Sequence, residues 1–224
     1  MICLVTDRRR LSPGDAAGAQ RDCLAAQVRH AVDAGVDLVQ VRESDLEAGA
    51  LVSLVGQLLA IARGTPTRIV VNDRIDVALA SGADGVHLRG DSIPVSAARQ
   101  LAPAGFLIGR SVHRVEEAIA AADADYLIAG TVFPSASKGP GAPLLGVEGL
   151  KAVARSVERP VLAIGGISDD RLGVVASAGA AGFAAIGWFM AQGDSQAGGS
   201  CRAVPLRQIV ERARSRFDTL KTTF

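Results

Sequence analysis

A chain of 224 residues with 49% hydrophobic and 21% charged side chains can build one large core, and aromatics at 4% leave that core to Ala, Val, Leu and Ile. A formal net charge of +1 excludes general attraction to nucleic acid or an anionic membrane, so any anion must be bound locally. The apolar stretches are too short and glycine-rich to span a bilayer, and Met1 leads straight into an apolar run with no room for a signal peptide; the expected location is the cytoplasm.

In chain order, continuously apolar runs fall at 2–6, 38–41, 69–71, 85–88, 107–109, 126–129, 161–164 and 183–186. Strands covered on both faces read this way. Between them, segments 21–34, 46–62, 75–81, 95–101, 115–122, 147–156 and 170–178 carry apolar residues at helical spacing. Eight such units predict an α/β protein, a single (β/α)8 TIM barrel over residues 1–224. The competing architecture, a doubly wound open sheet, usually has fewer strands or an opening glycine-rich nucleotide loop, and none follows the first run.

A weak repeat supports the barrel. Ala34-Gly35-Val36-Asp37, Ser81-Gly82-Ala83-Asp84 and Ala178-Gly179-Ala180-Ala181 resemble one another, and Ala122-Asp123-Ala124-Asp125 is a looser copy. Each reads as a helix ending in a left-handed cap at Gly or Asp, then a tight turn into an even-numbered strand. Three loops stand out. Segment 8–20 opens with Arg8-Arg9-Arg10, which reads as a solvated charge run. Segment 131–146 is the candidate lid, and Gly/Ser-rich 192–200 is expected to be mobile. Cys3, Cys23 and Cys201 are scattered, lack metal-ligand spacing and read as free thiols of a reducing compartment, with Cys3 in the core.

In such a barrel, polar residues at strand carboxyl ends share one mouth. Here they are Thr6 and Asp7, Gln40 and Arg42, Asn72 and Asp73, His87, Arg89 and Asp91, Ser111 and His113, then Thr131, Ser135, Ser137 and Lys138. Gly165-Gly166 and Ile186-Gly187 follow the last two strands, where bare backbone suits a phosphate. Gln40 and Arg42 alternate onto one strand face and suit an anion or polar ring; the alternative for Arg42 is an ion pair with Asp7 or Asp73. Asp73 suits Mg²⁺ or a helix N-cap, with Asp91 a second carboxylate. His113 is the acid–base candidate, the alternative being a helix-cap histidine. His87 reads as rim support and His30 as solvated. No zinc spacing, Ser-His-Asp elbow or P-loop is present.

Seven stretches together resemble a known family: Leu4-Val5-Thr6-Asp7, Val39-Gln40-Val41-Arg42-Glu43, Val71-Asn72-Asp73, Ala83-Asp84-Gly85-Val86-His87-Leu88, Gly109-Arg110-Ser111-Val112-His113, Phe133-Pro134-Ser135-Ala136-Ser137-Lys138 and Ile164-Gly165-Gly166-Ile167. The family is the thiamine phosphate synthase/TenI group of thiamin-biosynthesis barrels. The synthase branch implies pyrimidine and diphosphate contacts at Gln40, Arg42, Asn72, Ser111 and Lys138, with Mg²⁺ at Asp73. Three departures stand out. Ser44 replaces the lysine usual after the strand arginine. Arg89-Gly90-Asp91-Ser92 replaces Gly-Gln-Glu-Asp, putting the second metal carboxylate on Ser92 unless Asp91 takes its place. Ser135-Ala136-Ser137-Lys138 replaces Thr-x-Thr-Lys.

The first two departures oppose diphosphate chemistry and favour the TenI branch. That branch implies aromatising tautomerisation of a carboxythiazole phosphate, without metal or other cofactor. His113 would move the protons with Ser111 beside it, Arg42 would face the carboxylate, and Gly165, Gly166, Ile186 and Gly187 would hold the phosphate. The preferred expectation is therefore a thiazole tautomerase. The alternatives are the Mg²⁺-dependent synthase, with Asp73 and Asp91 as ligands, and a non-catalytic regulatory protein that binds thiazole phosphate. The partner is a small molecule, with no nucleic acid or membrane, and the family implies a homodimer.

Overall fold

A computed structural model describes residues 1–135, 141, 143–189, 201 and 206–218. Ser137, Lys138 and segment 192–200 lie outside the described residues. Strand β1 (Ile2–Val5) leads through α1 (Arg8–Leu11) and α2 (Ala17–Asp33) to β2 (Leu38–Val41). Then come α3 (Ala48–Ala62), β3 (Arg68–Asn72), α4 (Ile75–Ser81), β4 (Gly85–Leu88), α5 (Val95–Leu101) and β5 (Leu107–Val112). The chain continues through α6 (Val115–Ala120), β6 (Tyr126–Gly130), α7 (Gly146–Ser156), β7 (Val161–Ile164), α8 (Leu172–Ser177), β8 (Gly182–Ala185) and α9 (Arg207–Asp218). Each strand pairs in parallel with its neighbours in sequence, and β8 closes on β1, giving the expected barrel.

The apolar residues divide into two layers. Inside the barrel, Cys3, Val5, Leu38, Val70, Tyr126, Ile128, Leu162 and Ala184 form a small cluster. Between sheet and helices lies the larger one, including Leu24, Val28, Leu54, Leu58, Ile108, Leu150 and Phe183. Each such buried Leu or Val contributes about 1.5–3 kcal/mol. Four aromatics gather behind β8, where Phe183 packs on Trp188, Phe189 and Phe217.

The repeat has a specific structural meaning. Gly35, Gly82 and Gly179 do adopt left-handed caps, with φ of 77°, 70° and 89°. The looser copy does not: Asp123 keeps a negative φ. What three copies share is the following aspartate. Asp37, Asp84 and Asp125 each accept an N–H from the start of the preceding strand, that of its first or second residue: Ile2, Ile69 and Ile108, all at 2.7 Å. Before β8 the residue is Ala181; its N–H still donates to Val161 O at 2.8 Å, and the carboxylate half of the device is lost.

Four expectations change. Residues 8–11 form α1, because the Asp7 carboxylate accepts the Arg10 N–H at 3.1 Å and caps the turn. Strand β5 runs on through Arg110, Ser111 and Val112, which pair with β6. Helix α9 was hidden by its charge, yet Leu206, Val210 and Ala213 lie buried on one face. Finally, Cys23 and Cys201 are not free thiols. They form a disulfide across a sequence separation of 178, with Cα atoms 5.6 Å apart. No spacing rule reveals a contact made by the chain folding back on α2. Cys3 is free and buried, as expected, and burial pushes its thiol up to about 12. Among the described residues, no helix is long and apolar enough to cross a membrane.

Candidate active site at the barrel mouth

A cavity of about 1240 Å³ opens at the carboxyl ends of the strands. Its two sides differ chemically. Strands β2 to β5 supply inward-facing polar side chains, Gln40, Asn72, His87 and Ser111. Strands β6 to β8 and the residues that directly follow β7 and β8 supply Ile128, Gly130, Ile164, Gly165, Ala184 and Ile186, which are apolar or bare. A flat heteroaromatic ring with one polar edge matches that asymmetry.

On the polar side, Gln40 is 4% exposed and donates from Nε2 to Asn72 Oδ1 at 2.8 Å. The pair leaves a carbonyl oxygen on Gln40 and an amide N–H₂ on Asn72, side by side. Beside them sits His87, 1% exposed, with Nδ1 3.2 Å from Tyr126 Oη and Nε2 2.9 Å from Ser111 Oγ. Burial, with Arg110 adding to it, pushes His87 down to about 3, so the ring is neutral. Burial also pushes the Tyr126 phenol well above its usual range, so it keeps its proton. A buried hydroxyl must donate, and Nδ1 is the acceptor it meets. His87 then carries its proton on Nε2 and donates to Ser111, which leaves the Ser111 O–H directed to the cavity. His87 is thus an interior organiser rather than rim support. Gly109 makes room for it: a Cβ there would fall 2.2 Å from Tyr126 Cζ and 2.6 Å from His87 Nδ1.

The β1 and β2 ends are laced by a buried network. The Thr6 hydroxyl donates to Glu43 at 2.6 Å and accepts the Arg42 N–H at 2.9 Å. Arg8 Nη1 donates to Glu43 at 2.8 Å and to Asp45 at 2.7 Å. Burial pushes the Glu43 carboxyl up, with Thr6 and Arg8 pulling against it, and Arg8 holds Asp45 down at about 2. The arginine run therefore divides. Arg8 is structural, Arg9 pairs with Asp45, and Arg10 turns into the cavity. Arg42 also lines the cavity, exposed; among the described residues neither Asp7 nor Asp73 pairs with it.

On the opposite side, Gly165 and Gly166 have φ of 99° and 61°. Side chains are excluded here by space as well as conformation: a Cβ on Gly165 would meet Thr131 Cγ2 at 2.4 Å, and one on Gly166 would meet Pro134 O at 2.5 Å. Arg171 Nη1 donates to Gly166 O at 2.6 Å, and its guanidinium lies 4.8 Å over the Phe133 ring. Gly187 is open to the cavity, its nearest neighbour Arg10. Gly165, Gly166 and Gly187 line the cavity together with two arginines, Arg10 and Arg171, that do not stand at strand ends.

His113 is exposed at the rim and lines the cavity. Its ring is not a helix cap. Nδ1–H donates to Gly130 O, which fixes the tautomer and leaves Nε2 with its lone pair near Gly90. Ser135 lines the cavity as expected; Ser137 and Lys138 lie outside the described residues.

The expected carboxylate pair is occupied. Asp73 has φ 64°, in the left-handed region, and does not cap α4. Its Oδ1 accepts the Arg89 N–H at 3.4 Å, and its Oδ2 lies 4.0 Å from Arg89 Nη1. Arg89 Nη2 donates to Asp91 at 2.7 Å. Asp91 and Arg89 line the cavity and Asp73 does not. Mg²⁺ is commonly bound by one or two carboxylates together with substrate phosphates, so two aspartates could in principle suffice. Here a guanidinium stands between them. Among the described residues, no group of three or more His, Cys, Asp or Glu could hold a metal ion. As arranged, the pair does not fit a divalent ion.

Residues 3–189 match the family described as thiamine monophosphate synthase. The chain belongs to that family. It is 41% identical over 191 residues to a thiamine-phosphate synthase of Methanoregula boonei, covering 84% of this chain and 87% of that one. It is 43% identical over 174 residues to one of Anaeromyxobacter dehalogenans, covering 77% and 78%. The solved structure of a thiamine phosphate pyrophosphorylase from Pyrococcus furiosus superposes with a TM-score of 0.76 at 33% identity, covering 98% of this chain and 96% of that one. The family member is an enzyme of thiamine biosynthesis, and these relatives carry the name of the synthase branch, not of a tautomerase.

Proposed function

We propose that the chain is a thiamine phosphate synthase, joining a hydroxymethylpyrimidine diphosphate to a thiazole phosphate with release of pyrophosphate. The observation that carries this reading is one cavity with two separate anion-receiving ends. Arg42 and Arg89 stand at the β2 and β4 rim, and the Gly165-Gly166 and Gly187 floor with Arg10 and Arg171 lies across from them. At about 1240 Å³ the cavity exceeds the roughly 300–1,000 Å³ usual for one small ligand. A tautomerase substrate also carries two anionic groups, a carboxylate and a phosphate, but on a single ring, so it needs room for one ligand only. The names of the relatives support the same choice.

The chemistry distributes over the residues as follows. The free carbonyl of Gln40 and the free amide N–H₂ of Asn72 complement an aminopyrimidine edge, which offers one donor and one acceptor. The bond from the pyrimidine methylene to the diphosphate oxygen breaks, and its electron pair leaves with pyrophosphate. The thiazole nitrogen forms the new bond to that carbon, and no proton has to move. Arginines at the rim stabilise the charge that gathers on the leaving group. The neutral His87 adds no positive charge beside a carbocation-like pyrimidine.

A second reading, the tautomerase, is favoured by one observation. The lone pair on His113 Nε2 is available to take a proton, because Nδ1–H is held by Gly130 O. Incubating the protein with both substrates and assaying thiamine phosphate separates the two. Product at an enzyme-like rate supports the synthase; no product, with turnover of a carboxythiazole phosphate tautomer instead, would put His113 at the centre.

A further inference from the structure

We propose that Arg89 is a built-in cation of this site, held between Asp73 and Asp91 where a divalent ion would otherwise sit, so that arginine rather than a resident metal receives the diphosphate. For the identity of the anion this rests on the synthase reading; for the position of the cation it rests on geometry alone.

The guanidinium is the only cation the two aspartates share among the described residues, with Nη2 at 2.7 Å from Asp91 and Nη1 at 4.0 Å from Asp73. The backbone contributes too, since the Arg89 N–H points at Asp73 Oδ1 from 3.4 Å. The turn that carries Arg89 and Asp91 is braced from β5. Arg110 donates from Nη2 to Gly90 O at 2.8 Å and from Nη1 to Ile93 O at 2.6 Å. Ser92 N–H closes the turn on Arg89 O at 3.1 Å. With the turn pinned, Asp91 keeps its place at Arg89. Residue 92 is a serine, which brings no charge to an ion.

A dication entering this pair has to break the Arg89–Asp91 bond and sit against a like charge. An incoming diphosphate meets the opposite situation. Arg89 has N–H groups beyond those used by Asp91, and a planar fork that matches two phosphate oxygens. Arg42, on the neighbouring rim with no carboxylate partner among the described residues, adds a second cation. Both line the cavity; Asp73 does not.

Manganese binding read by electron paramagnetic resonance, without substrate, tests the position of the cation. Arg89→Gly should bind Mn²⁺ at least about tenfold more tightly than the wild type, and adding Asp73→Asn should remove the gain. Equal Mn²⁺ affinity in wild type and Arg89→Gly would overturn the proposal. Arg89 is exposed, so both variants should melt like the wild type. Calorimetry with inorganic pyrophosphate in EDTA tests its role: wild type should bind, and Arg89→Gln should lose about tenfold or more. Binding that appears only with Mg²⁺ would also overturn it. Absence of pyrophosphate binding with and without Mg²⁺ would instead sink the diphosphate reading of the cavity, and the manganese comparison would still judge Arg89.

Discussion

His87 Nε2 and Ser111 Oγ lie 2.9 Å apart inside the barrel, and the same ring meets Tyr126 Oη through Nδ1 at 3.2 Å. Three polar groups that a barrel interior would ordinarily exclude thus satisfy one another. Tyr126 sits at the level of the apolar cluster with Cys3 and Leu162, while Ser111 opens to the cavity. The chain of bonds carries the orientation of a buried phenol up to a hydroxyl that substrate can touch.

A neutral buried imidazole makes stability depend on pH. Burial holds His87 at about 3 in the fold, against 6.5 when solvated. Below that upper value the unfolded chain takes up a proton that the folded chain refuses. Stability from this source is complete above pH 6.5 and is lost as pH falls toward about 3. The slope is about 1.4 kcal/mol per pH unit for one proton. His87→Gln should lack that component. Urea titrations of both proteins at about pH 7, 6 and 5 measure the difference in slope; parallel slopes would mean that His87 is charged in the fold.

Gly109 is where the network is most easily broken. A methyl group there has Tyr126 Cζ at 2.2 Å, Tyr126 Oη at 2.5 Å and His87 Nδ1 at 2.6 Å. Both rings are fully packed, so neither can retreat. Gly109→Ala should cost about 1–3 kcal/mol of stability or more, from overpacking alone. It should also weaken pyrimidine binding, by turning His87 away from Ser111. A denaturation midpoint equal to the wild type would show that the tyrosine ring is free to move.

Most of the barrel could be read from the sequence because buried parallel strands are written as unbroken apolar runs. The bounds of β2, β4 and β7 come out as expected from Leu38–Val41, Gly85–Leu88 and Val161–Ile164. Ser111 reads as lying beyond a strand end because Arg110 and Ser111 interrupt the apolar pattern, yet ladder pairing to β6 carries the strand through them. Within the site, Gln40, Asn72, Ser111, His113 and the glycines could be found as strand-end residues, and all line the cavity. Arg10 and Arg171 could not. One sits in a charge run whose neighbours face elsewhere, and the other lies in the turn before α8. In the sequence Arg89 is one more rim charge, since only three-dimensional pairing shows it between two aspartates.

The cysteines give a direct chemical check. Unfolded without reductant, the protein should expose one thiol, that of Cys3, and after reduction three. Ellman titration counts them; three thiols before reduction would return Cys23 and Cys201 to free residues. Because the bond closes most of the chain into one loop, Cys201→Ser should lower stability by about 2–4 kcal/mol.

Arg171 gives the test that separates the two ends of the cavity. Its Nη1 holds Gly166 O at 2.6 Å, and Phe133 supports the guanidinium face at 4.8 Å. Through that carbonyl it fixes the peptide planes of the glycine floor, and it places a positive charge on the cavity wall. Arg171→Ala should raise KM for the thiazole phosphate about tenfold, the range of a lost charged hydrogen bond, and leave KM for the pyrimidine diphosphate unchanged. Arg171→Lys should not restore it, because an ammonium cannot reproduce the planar fork and its stacking. If both KM values rose together, the two ends would not be independent, and one shared anion position would replace them.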